Sequence, residues 1–297
     1  MCYIIPKDIL KIILRYAGKR EILLLQDLCP ELLKYVIVNN LEEINKDNYK
    51  YIQQICPTNN VTDDDLKHLT NITSLDLSFN NKITDEGIKH MTNITSLNLY
   101  NNKIITYEGI KYMTKITSLN LSWNNKITDK GIKGKINITN LNLDSNTKIT
   151  DEGVKDITNM ITLNLYCNKK ITDEGIKDMI NMTSLDLSHN EKITDEGIKG
   201  MINMTSINLQ NNKKITDEGI KGMTKIISLN LSRNEKITDE GIKGMINMII
   251  LYLACNKKIT DEGIKGMTKM TNLNLSDNKK ITDKRIKGLP NLIEIIR

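Results

Sequence analysis

From Val61 onward the chain switches between two hydrophobic periods. Stretches such as Ser74-Leu75-Asp76-Leu77-Ser78 alternate polar and apolar residues. Period two places both leucines on one face of a strand and the polar side chains on the other. The stretch from Thr84 to Met91 follows, where Thr84-Asp85 carries a helix-start signal and Ile88 and Met91 lie three apart on one helical face. Each unit therefore reads as strand, turn and short helix, and the reading repeats.

The first Leu column holds one Ile, at Ile207, between Leu75 and Leu273; the second is Leu throughout, from Leu77 to Leu275. An unbroken Asn column runs from Asn80 to Asn278 with a spacing of 22 residues. One unit cannot bury its own apolar face, whereas a stack buries a continuous core. The Asn amide can satisfy the backbone of the tight turn after each strand, so the column predicts a buried ladder. A Gly column runs from Gly87 to Gly263, with Asp65 before it and Arg285 in the last unit. Exceptions confined to the ends point to close approach between repeats rather than to a positive φ. Asp85 and Lys89 are four apart, a favourable helical pair that recurs at Asp151 and Lys155 and at Asp173 and Lys177. The column of Met91, Met113, Ile157 and Met179 is interrupted by Lys135. A buried Lys is expensive, so either Lys135 lifts its ammonium to the surface or the segment rotates and Ile136 fills the slot.

The pattern LxxLxLxxN resembles that of leucine-rich repeats. The phrase N-x-x-I-T-D-x-G-I-x-x-M resembles the cysteine-containing subtype, shortened and with Asn in place of Cys. The resemblance covers residues 61–297. It implies an α/β fold, a leucine-rich-repeat solenoid (horseshoe) of about ten 22-residue repeats, with strands lining the concave face and helices outside. It also implies a protein-binding role for the concave side and its rim.

Upstream the rule changes. Ile9, Leu10, Ile13 and Leu14 form a helical stripe after Pro6, and further apolar stretches include Leu28, Leu32, Leu33 and Val36. The order Ile5-Pro6-Lys7-Asp8-Ile9-Leu10, then Ile13-Leu14-Arg15-Tyr16, resembles the opening of an F-box. Leu28-Cys29 stands for its Val-Cys pair, and the Trp that usually follows is missing. The other reading of this segment is a helical cap over the first repeat. The reading gives an F-box-like helical segment over 1–40, a linker and N-terminal cap over 41–60, and the solenoid over 61–297. The F-box resemblance implies docking on the Skp-type adaptor of a cullin–RING ubiquitin ligase through Ile5, Pro6, Ile9, Leu10, Ile13 and Leu14.

Composition narrows the chemistry. The net charge is +6 over 297 residues, and residues 1–60 hold eight basic and seven acidic side chains. That mild excess predicts no nucleic-acid footprint. No apolar run is long enough for a membrane span, and Pro6 and Lys7 interrupt any secretory signal, so the expected location is cytoplasmic or nuclear. The five cysteines show no paired spacing, and no His, Cys or acidic cluster has ligand or triad spacing. No catalytic residue, no metal and no cofactor is expected, and the chain does not read as an enzyme.

Aromatic residues are only 4% of the chain, with one Trp and one Phe, and both fall in one column. The two positions after the second Leu vary most from repeat to repeat. They supply Phe79, Tyr100, Trp123, Asp144, Tyr166, His189, Arg233 and Asp277, the candidate substrate-binding strip. Together with the two resemblances, the strip implies a substrate-recognition adaptor of an SCF-type (Skp–cullin–F-box) ubiquitin ligase. The alternative is a leucine-rich-repeat binding or inhibitor module with no ubiquitin role.

Overall fold

The structure, a computed structural model, describes Ile22 and residues 30–38, 41, 44, 46–57 and 61–297. The chain forms two compact units, Met1–Gly131 and Ile132–Arg297. The adaptor residues expected from the F-box resemblance, Ile5 to Leu14, lie outside the described residues.

In the first unit, strands β1 (Ile37–Val38), β2 (Gln54–Ile55), β3 (Ser74–Asp76), β4 (Ser96–Asn98) and β5 (Ser118–Asn120) pair in parallel, each with the next in the chain. In the second, strands β6 (Asn140–Asn142), β7 (Thr162–Asn164), β8 (Ser184–Asp186), β9 (Ser206–Asn208), β10 (Ser228–Asn230), β11 (Ile250–Tyr252), β12 (Asn272–Asn274) and β13 (Glu294–Ile296) do the same. Each residue pairs with its equivalent one repeat on, as Leu75 with Leu97 and Leu229 with Leu251. This is the α/β solenoid that the repeat period predicts.

The core is aliphatic. In one repeat Leu97, Leu99, Ile105, Ile110, Met113 and Ile116 are all at most 1% exposed. Burying each such side chain contributes about 1.5–3 kcal/mol. Ahead of the repeats Leu33, Val36, Leu41, Ile44 and Ile52 are also buried, with Tyr49 donating its hydroxyl to the Leu41 carbonyl at 3.1 Å.

Two polar ladders tie repeat to repeat. The Asn ladder is buried, as expected, and reaches further than its own turn. Asn102 Oδ1 accepts the amides of Ile104 and Ile105 at 3.0 and 2.9 Å, while its Nδ2 donates to the carbonyls of Leu77 and Asn80 in the preceding repeat, both at 2.9 Å. The second ladder corrects the expected Asp–Lys pairing. Lys89 Nζ pairs instead with Glu86, three residues back. The carboxylate of Asp85 is turned to the next repeat, where it accepts the Thr106 amide at 2.8 Å and its hydroxyl at 2.5 Å. Thr106 Oγ1 in turn accepts the Glu108 amide at 3.2 Å, capping its helix. The helices are single turns, such as Asp85–Ile88, so the carboxylate lies at the end of the element, beside its neighbour.

The Gly column follows from that ladder. A β-carbon on Gly87 would stand 2.9 Å from Asp63 Cγ and nearer still to its Oδ1. The same encounter awaits Gly109, Gly175, Gly197, Gly219, Gly241 and Gly263, and none of these has a positive φ. Close approach between repeats is the reason for the column.

Lys135 stays in its core column at 5% exposure, while Ile136 points outward at 55%. The segment therefore does not rotate Ile136 into the slot, and burial pushes the Lys135 ammonium below its ordinary pKa.

Candidate binding edge

The outward face of the strands is a lawn of short polar side chains that serve their own neighbours. Asn98 Nδ2 donates to Asp76 Oδ2 at 3.0 Å, and Asn98 Oδ1 accepts the Tyr100 amide at 3.0 Å. Chemical variety begins where the strands end, at the two positions before each ladder Asn.

The second of these positions has an unusual backbone. All ten residues, from Phe79 to Asp277, have φ between 49° and 56°, and none is glycine. The left-handed region is disfavoured by about 1–2 kcal/mol for residues with a β-carbon. The ladder enforces it: the Phe79 amide donates to the Tyr100 carbonyl at 3.0 Å and the Asn80 amide to the Leu77 carbonyl at 3.1 Å. The side chain is thereby thrown out of the turn.

In the first unit this exposes Phe79 at 61% and Trp123 at 51%. Phe79 meets half-buried Tyr100 edge to face, with centroids 4.8 Å apart and rings at 81°. The Trp123 carbonyl accepts the Lys103 ammonium at 3.0 Å. In the second unit Tyr166 meets His189 edge to face at 5.4 Å, and Asn211 Nδ2 lies 3.0 Å from His189 Nδ1. The Cys167 thiol raises the Tyr166 phenol above its ordinary pKa by hydrogen bonding and charge, and Asp144 and Asp186 add to it. Asp144 is half-buried, and its Oδ1 is buried without a hydrogen-bond partner. Arg233 and Asp277 are exposed, and Asp277 Oδ2 lies 3.8 Å from Cys255 Sγ. The predicted strip residues thus occupy one kind of edge, and two aromatic pairs within them are in contact.

Two features of the second unit escaped the sequence reading. Tyr252 stands exposed on the strand face, in a column that is Asn or Asp at every other position from Asp76 to Asn274, and borders a shallow cavity of about 380 Å³ with Asn208 and Asn230. That single departure from a constant column was the available signal. The other is a row of lysines just beyond the ladder Asn, whose setting emerges only when the repeats are stacked.

Among the described residues no group of three or more His, Cys, Asp or Glu could hold a metal ion, and no helix is long and apolar enough to cross a membrane. Cys56, Cys167 and Cys255 are free thiols. The arrangement presents side chains for contact along the edge of each unit.

Ten consecutive stretches, together spanning residues 68–284, match the Leucine Rich repeat family. No curated protein matches the chain. Among solved structures, an internalin (inlF) from Listeria monocytogenes str. 4b F2365 is similar at 22% identity, over 93% of each chain, with a TM-score of 0.65. A chain of the Toll–Spatzle complex from Drosophila is similar at 15% identity, over 90% of this chain and 41% of that one, with a TM-score of 0.63. A chain of the yeast Rad7–Elc1 complex is similar at 13% identity, over 98% of this chain and 92% of that one, with a TM-score of 0.50. At these identities the likeness is one of fold. With ten matched units in register with its own 22-residue period, the chain belongs to the leucine-rich repeat family.

Proposed function

We propose that the protein is a substrate-recognition subunit of an SCF-type ubiquitin ligase, acting in the cytoplasm or nucleus. Residues 1–40 dock on the Skp-type adaptor through Ile5, Pro6, Ile9, Leu10, Ile13 and Leu14, and the repeats hold the target protein. Leucine-rich repeats are protein-binding modules, and the solenoid is typically a non-enzymatic scaffold. Two of the fold relatives were solved in complexes with another protein. The observation that carries the target-binding half is the left-handed edge. Ten strained positions, three in the first unit and seven in the second, carry side chains where glycine would sit more easily, and Phe79 and Trp123 stand exposed there. The adaptor half rests on the F-box-like order of residues 5–16.

The test is a pull-down of the full chain with purified Skp adaptor, against the variant carrying Ile9→Asp and Ile13→Asp. Truncation at residue 61 is unsuitable, because Gln54–Ile55 pairs with Ser74–Asp76 and would be lost with the segment. Capture that the double substitution abolishes supports the ligase reading. Equal behaviour of both chains, or no capture by either, leaves a leucine-rich-repeat binding or inhibitor module with no ubiquitin role.

A further inference from the structure

The two positions after each ladder Asn, from 147–148 to 279–280, hold eleven Lys, two Glu and one Thr, all exposed. They lie in the second unit, one pair per repeat, with repeats ~4.8 Å apart. Their backbone is fixed: the amides of Lys148, Lys214 and Lys258 each donate to the Oδ1 of their ladder Asn at 2.9 Å. The side chains are thereby held in a ridge along one edge.

The lysines of this ridge are treated differently from the rest. Just past the one-turn helices of the same unit, and at the equivalent non-helical position 265, Lys155, Lys177, Lys199, Lys221, Lys243 and Lys265 each pair with a Glu three residues back. Among the described residues, none of the eleven ridge lysines forms an ion pair. Residues 132–297 hold 26 basic and 21 acidic side chains, but outside the ridge the balance is 15 to 19. The unit's whole positive excess is therefore concentrated on one edge, where eleven lysines stand with only two glutamates. At its middle, Lys213, Arg233, Lys236 and Lys257 surround a cavity of about 400 Å³ that also includes Glu235.

We propose that this ridge docks an acidic, extended segment of a partner protein, with one carboxylate seated between Arg233 and its lysine neighbours. Charge complementarity selects an anion, and the neighbouring residues select its kind. Single-stranded nucleic acid is held by aromatic faces on which bases stack. The left-handed column of this unit reads Ser145, Cys167, His189, Asn211, Arg233, Cys255 and Asp277, with no Trp, Tyr or Phe, and the neighbouring Tyr166 has its ring edge-to-face with His189 rather than beside the ridge's central cavity. Glu191, Glu235 and Asp277 stand among the cations, where a continuous run of phosphates would meet repulsion. A polypeptide can place neutral or basic residues opposite them. The proposal rests on the reading of the repeats as a protein-holding surface and is independent of the adaptor segment.

The probe is a fluorescein-labelled peptide of alternating Glu and Ser, titrated with the full chain and followed by anisotropy. Two triple variants remove the same charge: Lys213→Gln, Lys236→Gln and Lys257→Gln on the ridge, and Lys177→Gln, Lys199→Gln and Lys221→Gln just past the helices. Thermal melting establishes that both are folded. The expected result is a tenfold or greater loss of affinity in the ridge variant, less than twofold in the helix variant, and weakening with added salt. Equal losses would show attraction to net charge alone and overturn the proposal. So would no peptide binding, or tighter binding at the same salt by a single-stranded oligonucleotide or by phosphatidylserine vesicles. Loss of the Skp contact with peptide binding intact would refute the ligase reading alone.

Discussion

Asp195 holds Thr216 with both carboxylate oxygens, one on the backbone amide at 2.8 Å and one on the hydroxyl at 2.6 Å. The two residues belong to successive repeats, and the space for that carboxylate is left by the missing side chain of Gly219.

A double-mutant cycle tests this arrangement. Asp195→Ala removes two charge-assisted bonds and is expected to cost about 1–3 kcal/mol in chemical unfolding. Gly219→Ala places a β-carbon 3.0 Å from Asp195 Cγ and is also expected to destabilise. The double variant should lose less than the sum by at least ~0.5 kcal/mol, because the methyl then meets no carboxylate. Strict additivity would mean that Gly219 is needed for another reason.

The end of the array supplies a natural experiment. The sequence Asp-Glu-Gly-Ile-Lys-Gly occurs at 239–244 and again at 261–266, yet only the first contains a helix, Asp239–Ile242. In the first copy the Lys243 amide reaches the Asp239 carbonyl at 3.0 Å; in the second the Lys265 amide reaches only Glu262, at 3.3 Å. The next repeat differs, presenting Gly263 to the first copy and Arg285 to the second. Arg285→Gly is expected to restore the helix at 261–264, slow amide exchange at Lys265 and raise the melting midpoint. Unchanged exchange at Lys265 would clear Arg285 of the distortion.

These pairs mark what can be read from a repeating chain. The Leu and Asn columns were legible because their rules are local and recur without a slip. The Gly column was half legible, since its exceptions Asp65 and Arg285 fall at the ends. The partner of Asp85 was not, because in a periodic sequence every position has a suitable residue both four and 21 places ahead. Lys89 and Thr106 fit on paper, and only the one-turn helix decides for Thr106. The lysine ridge was hidden for a related reason. Net charge averages over faces, and helix lysines with Glu partners masked ridge lysines without them. Of the candidate strip, the positions were legible from variation alone, but the left-handed backbone that exposes Phe79 and Trp123 was not.

That backbone makes a prediction of inverted sign. In strands and helices Gly is worse than Ala by roughly 0.5–1 kcal/mol. At Trp123, with φ of 55°, Trp123→Gly is expected to be more stable than Trp123→Ala by about 1 kcal/mol, and both should weaken target capture. Urea unfolding of the two variants decides it; Ala the more stable would mean the turn relaxes without cost.

Lys135 gives a test with a pH arm. Lys135→Met is expected to stabilise the chain by about 1 kcal/mol near neutral pH, since replacing a buried charge by a well-packed apolar group is often favourable. Burial places the folded pKa of Lys135 below its unfolded value. The penalty is therefore full below the folded pKa and is relieved as pH rises through it toward ~10.4. The advantage of Met should shrink between neutral pH and about pH 10. A gap that stays constant or widens would show that the ammonium is not the source of the cost.

The Asn ladder also sets the grammar of length change in this chain. Each rung grips a carbonyl 22 residues back, as Asn212 grips Asn190, so an excision of one whole period recreates every grip with the next rung. Removing residues 195–216 joins Thr194 to Asp217, and an identical phrase reads on across the scar. A cut one residue longer or shorter would leave two rungs facing the wrong atoms. Such a gene can gain or lose members by unequal crossing-over in whole units, and drift in size without ever passing through a misfolded intermediate.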